Sequence, residues 1–143
     1  MTTLQEIAAA MVKSGQGILA ADESTGTIQK RFDSIGVDCT PANRCDYREM
    51  LFRSEGMKEA VSGVILFEET LDQRAADGTR LVDLISAAGA VPGIKVDKGA
   101  KLLSGHPGET VTEGLDGLRE RLASYYEKGA RFAKWRSVIS IGN

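Results

Sequence analysis

Apolar residues along this chain switch repeatedly between helical spacing and near-continuous runs. Leu4, Ile7, Ala8 and Met11 fall three or four apart and predict an amphipathic helix over about 3–14. A short strand follows at 17–22, after which Ser24-Thr-Gly-Thr27 offers N-cap chemistry for a helix ending near Gly36. Pro41 suits a first helical turn and opens a helix through Tyr47 and Met50 to about Arg53. Gly63-Val-Ile-Leu-Phe67 reads as the second strand, ending in Glu68 and Glu69 and followed by a turn at Ala76-Asp77-Gly78. A helix over about 80–88 should bury Leu81, Leu84, Ile85 and Ala88 and stop at Gly89. The third strand is expected at 91–97, with a Gly/Pro-rich loop behind it holding His106. Leu115, Leu118, Leu122 and Tyr125 predict the longest helix, about 111–128, and a fourth strand at 132–139 closes the series.

Strand, helix, strand, helix in this rhythm implies an α/β fold of parallel strands joined by right-handed crossovers. The strands are almost wholly apolar, as expected when both faces of a sheet are covered. Four βα units of this size amount to half of a TIM (β/α)8 barrel, whose eight units take about 250 residues. The competing architecture is a small doubly wound sheet. Its usual Gly-rich phosphate loop after the first strand is replaced here by Asp-Glu-Ser-Thr-Gly. No repeat, low-complexity tract or linker divides residues 1–143 into two domains.

Composition narrows the function. With 143 residues, 42% of them hydrophobic, the chain can build one real core. A net charge of -2 without a basic run argues against nucleic-acid or membrane-surface binding. Cys39 and Cys45 are too few for a disulfide scaffold and read as free thiols, and no metal-ligand cluster is evident. The start lacks a basic n-region and no apolar run reaches membrane-spanning length, so a cytoplasmic protein is expected.

Three charges interrupt the apolar strands: Asp22, Lys95 and Lys134. A charge in a core strand is costly unless it is paired or kept hydrated in a site. Strand alternation puts Asp22 with Ala20 and Ile18, Lys95 with Asp97, and Lys134 with Arg136, while Trp135 points to the other face. Two lysines and an arginine balanced by an aspartate at strand C-termini suit an anionic substrate. An interior ion-pair network that only satisfies itself is the plainer explanation for any one of them alone. The Ser24–Thr27 turn adds hydroxyls and free N–H groups at a helix N-terminus, a natural anion site. Arg31, one turn on, reaches either a phosphate or solvent. Glu68 and Glu69 either enter the site or cap its mouth, and His106 reads as a solvated turn residue.

Taken together these segments resemble the N-terminal part of class I (Schiff-base) fructose-1,6-bisphosphate aldolase. The resemblance rests on Gly17-Ile-Leu-Ala-Ala-Asp-Glu-Ser-Thr-Gly26, Lys30-Arg31, Gly63-Val-Ile-Leu-Phe67, Glu69-Thr-Leu71, Gly93-Ile-Lys-Val-Asp-Lys-Gly99, Gly108-Glu-Thr110, Gly114-Leu-Asp-Gly-Leu118 and Phe132-Ala-Lys-Trp-Arg136, in order along the chain. It implies a (β/α)8 barrel and reversible, metal-free cleavage of fructose 1,6-bisphosphate to dihydroxyacetone phosphate and glyceraldehyde 3-phosphate, with no cofactor. A lysine iminium serves as the electron sink. By that resemblance Asp22 and Lys134 support carbinolamine chemistry and proton transfer, and Lys95, Ser24 and Thr27 hold the distal phosphate. Arg31 and Arg136 contact phosphate or substrate. The resemblance also implies a homotetrameric parent. It places the covalent lysine and the glutamate acid/base on later strands, beyond Asn143, so these residues are expected to be a fragment that is inactive alone. A non-catalytic half-barrel interaction fragment and a small sugar-phosphate-binding α/β domain are the alternatives.

Overall fold

The computed structural model describes residues 3–139 and 141. Four parallel strands form one sheet in the order β1 (Gly17–Ala21), β2 (Val61–Leu66), β3 (Val91–Lys95), β6 (Phe132–Lys134). Helix α1 (Leu4–Met11) precedes them, and α2 (Thr25–Asp33), α3 (Pro41–Phe52), α4 (Gly56–Ala60), α5 (Leu81–Ala87) and α6 (Leu118–Glu127) lie between successive strands. A 3-10 turn at Glu68–Leu71 follows β2, and β4 (Ala100–Leu102) with β5 (Thr110–Thr112) make an antiparallel ribbon after β3.

Strand parity sorts the sheet into two faces. Ala21, Val64, Leu66, Ile94 and Val96 turn outward and are buried against Phe52, Met57, Leu81, Val82, Ile85 and Tyr125 of the helices. The core therefore lies between the sheet and its helical layer. The opposite face carries Ile18, Ala20, Gly63, Ile65, Gly93, Lys95, Phe132 and Lys134, and here Ile18 remains 43% exposed. On that face the Phe132 ring lies flat against Gly93, where an added Cβ would sit 2.3–2.5 Å from three ring atoms. Glycine at 93 is required by that close approach.

The register links the strands residue by residue. Ala20 pairs with Ile65, Ile65 with Gly93 and Gly93 with Phe132, which makes one row across the sheet. Two residues further on, the same rows contain Asp22, Phe67, Lys95 and Lys134, and the last two are themselves a register pair. Asp22 and Lys134 thus stand at opposite ends of the row. In a flat sheet three gaps of about 4.8 Å would hold the outer strands about 14 Å apart. Yet Lys134 Nζ donates to Asp22 Oδ2 at 2.6 Å. The sheet is therefore strongly curled, with these side chains inside the curve.

Three expected elements are revised. The helix foreseen over 111–128 begins only at Leu118, because 110–112 pair with 100–102 and two glycines follow in left-handed conformations, Gly114 (φ 127) and Gly117 (φ 62). Leu115, expected in its apolar face, is 70% exposed, and α3, not this helix, is the longest. The third strand ends at Lys95 instead of Asp97, and the fourth ends at Lys134 instead of 139. The final rung there is Val96 N–H donating to the Lys134 carbonyl at 3.1 Å. Beyond it no pairing between β3 and β6 continues among the described residues. The short helix α4 was not foreseen: its five residues are too few to show a period.

Candidate active site

The strand ends open into a cavity of about 570 Å³. The residues to which the resemblance gave a catalytic or binding role all line it: Asp22, Ser24, Thr27, Arg31, Lys95, Lys134 and Arg136. Arg136 reaches it from the segment after β6 and not, as expected, from within a strand.

The three strand charges resolve into two ion pairs. Lys134 is paired with Asp22, and Lys95 Nζ donates to both the carboxylate Oδ1 and the main-chain carbonyl of Asp97, each at 2.7 Å. Asp97 has a fully buried side chain whose Oδ2 has no partner among the described residues. Burial pushes its pKa up, but the Lys95 ammonium and the N–H groups of Gly99 and Arg136 outweigh this and hold it below the ordinary carboxylate value. A depressed folded-state pKa stabilises the fold above the unfolded value, about 3.9, and this stabilisation disappears as pH falls through the lower folded one. Asp97→Asn should therefore show a flatter stability-against-pH curve in that acid window. Identical slopes of urea midpoint against pH below about 4 would contradict this.

At the start of α2, Ser24 occupies the N-cap position with extended backbone (φ -63, ψ 159). Its hydroxyl does not cap the helix, as the sequence suggested, but sits 3.1 Å from Thr27 Oγ1. Both hydroxyls stay available at the cavity wall. Arg31 is not a free solvent residue: its Nη1 donates to Glu23 Oε1 at 2.6 Å and to the Tyr47 hydroxyl at 3.1 Å. Glu23 is buried, lines the cavity, and has no partner for Oε2 among the described residues.

The two acidic residues after β2 separate cleanly. Glu68 lines the cavity, and the Tyr125 hydroxyl and Lys98 hold its pKa below the usual range. Glu69 turns away toward α3. There Arg44 donates through Nε and Nη2 at 2.8 and 2.9 Å, and Arg48 through Nη1 at 2.6 Å. Burial alone would raise the Glu69 pKa, but the two guanidiniums bring it down. Arg48, wholly buried, also donates from Nη2 to the Glu23 carbonyl at 2.9 Å. One arginine of α3 thus ties the end of β1 to the end of β2.

Sequence reasoning missed Glu23, Arg44 and Arg48. Arg44 and Arg48 stand four apart on one helix face, a pattern that ordinarily marks solvent. Glu23 was legible only by its place between Asp22 and Ser24. Among the described residues no group of three or more His, Cys, Asp or Glu could hold a metal ion. Nor is any described helix long and apolar enough to cross a membrane.

Comparison with known proteins agrees with this geometry. A family model described as "Glycolytic: Fructose-bisphosphate aldolase class-I" matches residues 3–143. Fructose-bisphosphate aldolase 1 of Toxoplasma gondii is 59% identical over 138 residues, which are 96% of this chain and 38% of the relative. The cytosolic fructose-bisphosphate aldolase 6 of Arabidopsis thaliana is 60% identical over 90% of this chain and 36% of its own length. Among solved structures, Plasmodium falciparum fructose-bisphosphate aldolase, in complex with TRAP and a small-molecule inhibitor, superposes with a TM-score of 0.89 at 51% identity. That match covers 92% of this chain and 38% of the other. The chain thus spans well under half the length of the relatives it matches. The parallel sheet, its curvature and these matches lead to one statement: the chain belongs to the class I fructose-bisphosphate aldolase family.

Proposed function

We propose that the cavity takes a sugar phosphate and that this chain supplies one part of a fructose-bisphosphate aldolase site in a cytoplasmic protein. The observation that supports this most is the convergence of Asp22, Lys95 and Lys134 from one register row onto the same cavity as the Ser24–Thr27 turn. In this reading Ser24, Thr27 and Lys95 hold the distal phosphate. The helix N-terminus favours its charge, and a partly desolvated ammonium in a cavity acts more strongly than one in water. Arg31 and Arg136 contact the phosphate or the sugar from the rim. Asp22 and Lys134 exchange protons with the substrate oxygens near the reacting carbon. Their 2.6 Å contact keeps a proton within reach of both groups. The covalent lysine belongs, by the family resemblance, to a later strand. The four strands are then the first four of an eight-stranded barrel, within a homo-oligomeric parent.

A polypeptide of these 143 residues alone is expected to leave fructose 1,6-bisphosphate uncleaved. Borohydride with dihydroxyacetone phosphate should leave Lys95 and Lys134 unmodified, and a covalent adduct on either would overturn the assignment. Co-expression with the remaining part of a class I aldolase should restore cleavage. In that assembly Asp22→Asn and Lys134→Met should each lower kcat at least about 100-fold, the scale of a lost acid–base group. Undiminished turnover in both variants would remove these two residues from the mechanism.

A further inference from the structure

The peptide between Lys95 and Asp97 is held from outside the cavity. Val96 is buried, its N–H donates to the Lys134 carbonyl at 3.1 Å, and its carbonyl accepts from Arg121 Nη1 at 3.1 Å. Arg121 comes from α6 in the helical layer and uses its second terminal nitrogen, Nη2, on the Gly114 carbonyl. The fork therefore fastens the end of β3 to the loop that leads into α6. It does not line the cavity itself.

Position 96 is where such a hold matters most. Both acceptors of the Lys95 ammonium belong to Asp97, and the peptide unit joining 96 to 97 carries the carbonyl that Arg121 grips. Rotation of that unit would swing Asp97 and release Lys95. The other side of Val96 is bonded to the residue carrying the second site lysine. From this we infer that Arg121 is a positioning residue: acting through Val96, it sets the placement of the Lys95 and Lys134 ammonium groups. Arg121 puts a separate nitrogen of its planar fork on each of the Val96 and Gly114 carbonyls, whereas a lysine would have to serve both from one nitrogen on a differently shaped side chain. The inference rests on the reading of the cavity as a sugar-phosphate site only for its consequence, not for its geometry.

Lysine reactivity in the chain as it exists gives the test. Reductive methylation with formaldehyde and cyanoborohydride, mapped by peptide mass spectrometry, reports how firmly each ammonium is held. In Arg121→Met, Lys95 should react about tenfold faster than in the unaltered chain, the scale of one lost charge-assisted hydrogen bond. Arg121→Lys should fall between the two. Lys58 and Lys101, which lie away from the cavity, should keep their rates. An equal acceleration of all lysines, or no change at Lys95 in either variant, overturns the inference, the first because it marks general loosening. Arg121→Lys keeps the charge without the fork and decides the matter even if Arg121→Met does not fold. A parallel arm with fructose 1,6-bisphosphate bears on the site reading alone: protection of Lys95 supports it and absence of protection counts against it. Neither result alters the ligand-free rates.

Discussion

Arg48→Met should lower the unfolding free energy by about 3–5 kcal/mol, the range for breaking a buried charged network on one side. Arg48 has no exposed surface, and its guanidinium bonds Glu69 Oε1 and the Glu23 carbonyl while lying 5.9 Å over the Phe67 ring. Methionine would fill much of the space and offer none of the donors. Glu69 would keep Arg44, but the Glu23 carbonyl would lose its partner and the loop between Asp22 and Ser24 its anchor. A domain of ordinary stability, about 5–15 kcal/mol, would survive this only narrowly. Arg48→Lys should recover part of the loss and not all of it, since one ammonium cannot reproduce the fork. Urea denaturation at neutral pH is the measurement. A loss under about 1 kcal/mol in the methionine variant would show that the network merely satisfies itself.

Gly93→Ala is the second large effect. The new methyl carbon would meet three atoms of the Phe132 ring at 2.3–2.5 Å, well inside van der Waals contact. That ring also lies 3.5 Å from where a Cβ on Gly63 would be, so it covers the glycines of two neighbouring strands. The ring must leave its place or β3 and β6 must part. Overpacking of this kind costs about 1–3 kcal/mol. The diagnostic is compensation: Gly93→Ala combined with Phe132→Leu should be more stable than Gly93→Ala alone, although Phe132→Leu by itself destabilises. Melting temperatures of the three variants and the parent form the cycle, and strict additivity would contradict the clash.

Both effects involve features that sequence reading handled very differently. The strands at 17–22 and 63–67 and the helices opened by Pro41 and by Leu81 were legible because period and punctuation agreed there. The region after Lys95 was not. Leu115 extends the helical stripe of Leu118 and Leu122 falsely toward the N-terminus, and the β-ribbon at 100–112 depends on pairing between segments, which local periodicity does not encode. The site residues were legible for a simple reason: a charge inside an apolar strand violates the pattern and so announces itself. Arg48 and Arg121 violate nothing. They sit on helices amid other polar residues, and only the carbonyls they reach mark them as different from solvated arginines. Glu68 and Glu69 make the same point in miniature. Adjacent, identical residues divide between the cavity and the α3 arginines according to the turn that carries them.

The contact between Lys134 and Asp22 joins residues 112 positions apart and lies across the full width of the sheet. Bringing such distant residues together carries a larger loop-closure entropy than any neighbouring-strand contact, so it is expected late in folding. During synthesis Asp22 emerges long before its partner, and its carboxylate stays open to water until β6 docks. The mouth of the cavity is consequently the last part of this sheet to acquire its final shape.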